Sequence, residues 1–581
     1  MFKLLKNFNK KDYMIILLVV VFIMGQVWFD LKLPDYMSKI TILVQTNGSK
    51  MKDILINGGY MLLCALGSLI LSIGVGFIIA NLSANFSLKI RKKLFNKVED
   101  LSLSEIKDFS TSSLITRTTN DITQVEMFIG IGLQMLIKAP ITAVWAITKI
   151  LNKNLQWSLV TGGAVLLLLT VVAILTIIVV PKFKIVQKLI DNLNGVTREN
   201  LNGIRVIRAF NAENYQTDKF ENVNDRLTKQ QLFNQKTFAI MSPMMYLVMN
   251  SLVLIIYFVG ANLIDKAYYP DKLQLFGDMV VFSSYSMQVI MSFLLLAAIF
   301  MILPRASVSA NRINEVLEKE ISIKDGDSDG KTEEIGTIEF KNVSFKYPDA
   351  EEYVLENISF KANKGETIAF IGSTGSGKST LINLVPRFYD VTKGEILVDG
   401  INVKDYKLEK LYNKIGYVPQ KAVIFSGTVK SNVLYGENGG KKNSVKEAIR
   451  VAQATEFVEK MDDKYDSHIA QSGTNISGGQ KQRLAIARAV ARNPEIYIFD
   501  DSFSALDYKT DYDLRKELKK YTKDATSLIV AQRIGTIMHA DKIIVLDNGK
   551  CVGIGTHKEL LKSCKVYKEI ALSQLTMEEL L

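Results

Sequence analysis

Six stretches of this 581-residue chain are apolar and long enough to cross a bilayer, at about 14 to 31, 54 to 80, 129 to 151, 157 to 180, 242 to 265 and 279 to 303. They commit the first 303 residues to an all-α domain of six membrane-spanning helices, while the charged, mixed sequence that follows reads as soluble. A chain this long also exceeds one ordinary core, so two or more domains are expected. Basic residues set the orientation. Lys89, Arg91, Lys92, Lys93 and Lys97 follow the second span, and Lys182, Lys184 and Lys188 follow the fourth. Six crossings return the chain to its starting side, so both termini are expected in the cytoplasm. The net charge of +12, from 71 Lys and Arg against 59 Asp and Glu, is largely a property of these flanks, and nucleic acid is not expected as a partner. Cys64, Cys551 and Cys564 have neither metal spacing nor an evident pairing. The first apolar segment lacks a small-residue cleavage site and is long enough to span, so no cleavable signal is expected.

Met1 to Asp12 carries Lys3, Lys6, Lys10 and Lys11 among apolar residues, the pattern of a short amphipathic helix on the membrane face. The connections after spans two and four run for about 48 and about 61 residues, and they keep apolar residues at helical spacing, as in Ile90, Leu94, Val98 and Leu101. They read as membrane helices continuing into the cytoplasm. About 20 residues down and 20 back reach roughly 30 Å, and the tips near Leu103 to Phe109 and Ala212 to Phe220 are expected to touch the soluble domain. Inside the spans, Gln26, Asp30, Gln134, Lys138, Gln288 and the run Ser283-Ser284-Tyr285-Ser286 are polar where lipid penalises polarity, which marks either cavity lining or helix contacts. Met241, Met244, Met245, Tyr246, Met249, Met287, Met291 and Phe293 suit an adaptable apolar binding surface or ordinary packing. The expected division is a membrane domain over 1–320, a linker over 321–336 and an α/β nucleotide-binding domain over 337–581. Asp325, Asp327, Asp329 and Gly330 open like a calcium loop, but position twelve is Gly336 instead of a bidentate Glu, and the match is rejected.

The nucleotide reading comes from Gly372-Ser373-Thr374-Gly375-Ser376-Gly377-Lys378-Ser379, of the form GxxxxGKS. Glycines let consecutive backbone N–H groups curl around phosphate oxygens, Lys378 can reach the terminal phosphates, and the Ser379 hydroxyl is placed to ligate Mg²⁺. The apolar run Thr367 to Ile371 predicts a buried strand before the loop, and Thr380 onward predicts a helix whose N-terminus favours anions. Ile496-Tyr497-Ile498-Phe499-Asp500 predicts a second buried strand ending in a carboxylate able to hold Mg²⁺ beside the phosphates.

With Asn475-Ile476-Ser477-Gly478-Gly479-Gln480 upstream of that strand, the chain resembles the ATP-binding-cassette (ABC) transporters, whose signature LSGGQ reads ISGGQ here. The resemblance covers nearly the whole chain. It implies that Tyr347, in Phe345-Lys346-Tyr347-Pro348, stacks on adenine; that Gln420, in Tyr417-Val418-Pro419-Gln420, joins the Mg²⁺ site to the membrane domain; and that Ser504-Ala505-Leu506-Asp507 crosses between cassettes. Arg117 to Asp121 and Glu199 to Phe210 look like the cytoplasmic helices of six-span exporters. The family architecture implies two membrane domains and two cassettes, with ATP sandwiched between the phosphate loop (Gly372 to Thr380 here) of one cassette and the signature (Ser477, Gly478, Gly479 and Gln480 here) of the other. This chain supplies half, and a second half-transporter is implied.

Three positions depart from the family pattern. After Asp500 stands Asp501 where the family has a catalytic glutamate; Gln532 replaces the switch histidine; Gln471 replaces a glutamate shortly before the signature. Removing one methylene withdraws the carboxylate by about 1.5 Å, and mispositioning by about 1 Å can cost roughly a hundredfold in rate. An intact signature beside two such losses resembles one subunit of a heterodimeric exporter with unequal ATP sites. The expected function is therefore half of a bacterial plasma-membrane exporter for hydrophobic or amphipathic small molecules, drugs, lipids or peptides among them. A nucleotide-gated channel or a regulatory ATP sensor is the alternative class.

Overall fold

A computed structural model describes residues 1–46, 48–151, 155–268, 271–436 and 445–580. The chain divides into two compact units, one of Met1–Glu99 with Thr111–Lys319 and the other of Asp100–Ser110 with Glu320–Leu581.

The first unit is helical throughout, and 6 of its helical segments are long and apolar enough to cross a membrane: Lys10–Gln45, Met51–Asp100, Thr111–Leu151, Leu155–Val179, Glu213–Lys266 and Asp271–Leu296. Its packing follows the helical repeat. Val19, Ile23, Val27 and Leu31 recur every four residues on the first span and are buried, whereas Leu17 and Val21 on the other side are 66% and 56% exposed. The buried stripe joins Val75, Ile79, Trp157, Phe282, Tyr285 and Val289 in a single cluster. Polar side chains on the sixth span serve helix contacts: the Ser286 and Thr161 hydroxyls share a hydrogen bond at 2.9 Å, and Tyr285 donates to Asp35 Oδ1 at 2.6 Å. Between spans four and five, the Leu155–Ala209 and Glu213–Ala239 helices form a long hairpin. Near its tip Phe210 and Tyr215 are 79% and 68% exposed.

The second unit holds a six-stranded sheet in the order Lys550–Gly555, Lys542–Asp547, Thr367–Gly372, Thr526–Val530, Ile496–Asp500 and Ile415–Val418. All neighbours are parallel except the antiparallel edge strand Lys550–Gly555. Its central strands are near-continuous apolar runs because both faces are covered, as parallel sheets require. A separate antiparallel sheet contains Ile338–Phe345, where burial alternates until the register slips between Phe340 and Val343. Asn342 takes φ 48° at that bulge. The helix Gly478–Arg492 packs Leu484, Ile486 and Val490 against Phe499 on the far side of the main sheet.

Lys414 joins two chain-distant acids here, bonding Asp399 Oδ2 at 2.7 Å and Glu495 Oε2 at 2.8 Å, with the Asp399 side chain 0% exposed. Lys414→Met would leave a buried carboxylate without its cation, which typically costs about 3 to 5 kcal/mol. Calorimetry of the purified protein is expected to show the transition of this unit shifted down by several degrees, with a change under about one degree sinking the assignment. The acidic run is spent locally: Asp325 Oδ1 accepts from Leu408 N at 2.6 Å, and Asp329 pairs with Lys407 at 2.8 Å.

Candidate functional site

The strand Thr367–Gly372 runs into the glycine loop, and the helix Lys378–Leu384 begins two residues earlier than the sequence predicts. A side chain at residue 372 is sterically barred, because a Cβ there would lie 2.0 Å from the Leu546 carbonyl oxygen. Gly377 caps the helix at φ 95°, a left-handed conformation suited to glycine. Lys378 folds back over the loop, its Nζ donating to Gly372 O at 2.9 Å and Ser373 O at 2.8 Å. Burial pushes its ammonium pKa down against the opposing charges of Asp501 and Asp500.

The parallel pairing of Ile496–Asp500 with Thr526–Val530, and of the latter with Thr367–Gly372, brings three strand ends together. Ser379 Oγ donates to Asp500 Oδ1 at 2.8 Å. Asp500 is 5% exposed; burial raises its carboxyl pKa, the Ser379 bond opposes this, and the Asp501 charge adds to it. Asp501 follows at φ 45°, a left-handed turn that Asp tolerates better than most residues. Its Oδ2 accepts from Gln532 Nε2 at 2.8 Å and, more weakly, from Gln420 Nε2 at 3.4 Å. Burial raises the Asp501 pKa too, and those amide bonds work against the rise.

Tyr347 stands edge-on to Phe345 and Tyr389 at 5.0 and 5.3 Å, and its hydroxyl shares a 3.1 Å hydrogen bond with Thr380. Over its face lies a residue that the sequence did not single out. Lys107 Nζ is 4.5 Å from the Tyr347 ring centroid and 5.4 Å from that of Tyr389. The first-loop tip 103–109 is thus part of this unit, as expected of it, and the Ser102 and Ser322 hydroxyls meet at 3.2 Å beside it.

Lys378, Ser379, Gln420, Asp500, Asp501 and Gln532 therefore form one hydrogen-bonded and electrostatically linked group. The signature lies outside it. Ser477 caps the helix Gly478–Arg492, its Oγ accepting from Gln480 N at 3.3 Å while Gln480 Oε1 accepts from Ser477 N at 2.8 Å. A Cβ at Gly478 would meet nothing within 4 Å, and one at Gly479 would sit 3.4 Å from Ala505 O. Gln471 is exposed in the short turn before the signature. Gln574 is the other residue missed in the sequence: its Nε2 donates to Gln532 O at 2.7 Å and its Oε1 accepts from Ile534 N at 2.8 Å, fixing the backbone around Gln532. No local pattern marks it, since the contact exists only once the last helices fold back.

Residues 15–293 match the ABC transporter transmembrane region and residues 355–504 match the ABC transporter family. An uncharacterised ABC transporter ATP-binding protein of Mycobacterium tuberculosis is 41% identical over 530 residues, covering 89% of this chain and 87% of the relative. The chain belongs to the ABC transporter family. A second relative of this ABC transporter, named an ATP-dependent lipid A-core flippase, from Pseudomonas savastanoi, is 32% identical across 85% of the chain and 81% of its own length. Among solved structures, a bacterial Atm1-family ABC exporter with ATP bound shares the fold with a TM-score of 0.81 at 22% identity, over 96% of this chain and 98% of that one. The protein is thus a multi-pass membrane ABC exporter with an ATPase domain, and its energy source is ATP.

Proposed function

We propose that this ABC exporter chain is one half of a heterodimer that moves hydrophobic or amphipathic compounds out of the cell, holding ATP at its own site while the partner's site does most of the hydrolysis. The observation that carries this reading is the pair Asp501 and Gln532. The carboxylate beside Asp500 is a methylene short of glutamate, and it is engaged by a neutral amide 2.8 Å away. An amide donates a hydrogen bond but cannot become a cation, so the pair supplies neither an extended base for water nor a positive charge for the γ-phosphate.

ATP at this site would stack on Tyr347, lay its phosphates on the backbone N–H groups of 372–377, and meet Lys378 and Thr380. The residues also fit a divalent cation: Ser379, Asp500 and Gln420 offer an all-oxygen set, and Asp500 is a buried carboxylate whose only hydrogen-bond donor among the described residues is Ser379. Mg²⁺ held there would supply charge neutralisation for the phosphates. A second half is supported by the signature, whose Ser477, Gly478, Gly479 and Gln480 make no bond to the chain's own phosphate loop, and by the exposed aromatic hairpin tip at Phe210 and Tyr215. Amphipathic cargo is supported by the flippase named above, and a bacterial plasma membrane with cytoplasmic termini by the basic flanks of the spans. Purified alone, the chain is expected to bind ATP and hydrolyse it slowly, whereas co-expression with its partner raises turnover by about a hundredfold. Fast ATPase from the single chain, free of other subunits, would defeat the reading.

A further inference from the structure

The intramembrane polar residues are not evenly spread; several meet at one level. Asp30 Oδ1 accepts from Ser68 Oγ at 2.5 Å, and Asp30 Oδ2 lies 3.6 Å from Lys138 Nζ, an ion pair too long to be a hydrogen bond. Gln288 Nε2 reaches the Asp30 carbonyl at 3.4 Å. Gln26, four residues before Asp30, projects from the same helix face and is 5% exposed. The first, second, third and sixth spans all contribute.

Two acceptors beside this ion pair are left over. Gln26 Oε1 and Gln288 Oε1 are buried and have no hydrogen-bond partner among the described residues. Leaving such an acceptor unpaired is costly, and lipid offers no donor to relieve it. Both are acceptors and call for a donor, and the Lys138 ammonium, 3.6 Å from Asp30, is not hydrogen-bonded to either of them. The neighbouring carboxylate makes a positively charged donor the best complement. An anion would satisfy Lys138 but would face Asp30 and leave both amide oxygens unpaired. The Asp30 and Lys138 side chains remain 30% and 27% exposed beside these oxygens.

Resting on the exporter reading above, we infer that this cluster recognises the protonated amine or guanidinium head group of the transported amphipathic compound. Asp30 supplies the charge and the Gln26 and Gln288 carbonyl oxygens accept hydrogen bonds. Lys138, loosely held on a flexible four-carbon stem, is the internal cation that the cargo displaces.

The test uses the assembled complex of this chain with its partner in lipid nanodiscs, and compares equilibrium binding of octylamine, octanol and octanoate, which share one tail. Octylamine is expected to bind about tenfold more tightly than the other two, the scale of one charge-assisted hydrogen bond. Asp30→Asn should abolish that preference and Gln26→Leu should reduce it. Lys138→Met is expected to strengthen octylamine binding several-fold, a gain that loss of a merely structural ion pair would not produce. Variants are compared only as intact complexes by size-exclusion chromatography. Equal binding of all three probes, an amine preference that survives Asp30→Asn, or a preference for octanoate that Lys138→Met removes would each overturn the inference. Binding is read without nucleotide, so a complex that selects amines yet fails to turn over ATP would refute the exporter arrangement and leave the head-group site standing.

Discussion

Ser477→Arg in this chain is expected to lower ATP turnover of the assembled transporter by about a hundredfold or more, the scale seen when one transition-state donor is removed. Asp501→Asn should leave most of it. Ser477 ends a 15-residue helix, and its hydroxyl and the free N–H groups behind it form a positive terminus with open space over Gly478. In the proposed heterodimer that terminus faces the partner's bound nucleotide. Arginine would remove the cap, costing about 1 kcal/mol locally, and would fill the approach with a long side chain. In the same proposal Asp501 sits at the slow site, and it is already engaged by Gln532, so neutralising it should remove little. Both variants are compared in one preparation by steady-state phosphate release. Should Asp501→Asn abolish turnover while Ser477→Arg is tolerated, this chain would be the main hydrolysing subunit.

Replacing Asp501 and Gln532 by glutamate and histidine should, on the proposed reading, have the opposite effect. The double variant Asp501→Glu with Gln532→His, purified as the single chain, is expected to hydrolyse ATP about a hundredfold faster than the natural chain. The longer carboxylate regains the withdrawn reach, and a histidine can carry the positive charge that Gln532 lacks. The two act as a pair across 2.8 Å, so each single change should recover far less than the double. Position 501 has φ 45°, where glutamate is less at ease than aspartate by about 1 kcal/mol, a small loss beside the expected gain. If the double variant assembles with itself, binds ATP and remains as slow as the natural chain, these two residues are not what limits hydrolysis.

The sequence alone was enough for everything that depends on neighbours along the chain. Runs of apolar residues specify spans because lipid requires every backbone group to be bonded within its own helix. The strand, glycine loop and helix around Lys378 were legible because phosphate binding needs consecutive backbone N–H groups. The strand before Asp500 could be read because a doubly covered parallel strand is apolar at every position. Asp501 and Gln532 stood out as departures from a family pattern, each at a position fixed by its own motif.

What tertiary structure decided is who meets whom across long separations. Asp30 and Lys138 were each conspicuous in lipid, but their pairing, and the two buried carbonyl oxygens left without a donor beside it, follow from how four helices pack. Lys107 over Tyr347 and the Gln574 clamp behind Gln532 carry no local signature, since a cation on a short helix or an amide in a terminal one resembles any solvated side chain until the fold supplies its partner. The bar on a side chain at residue 372 likewise comes from the Leu546 carbonyl on the adjacent strand. Periodicity and motif spacing are encoded in contacts a few residues apart, whereas these partners are brought together only by the packing of whole elements.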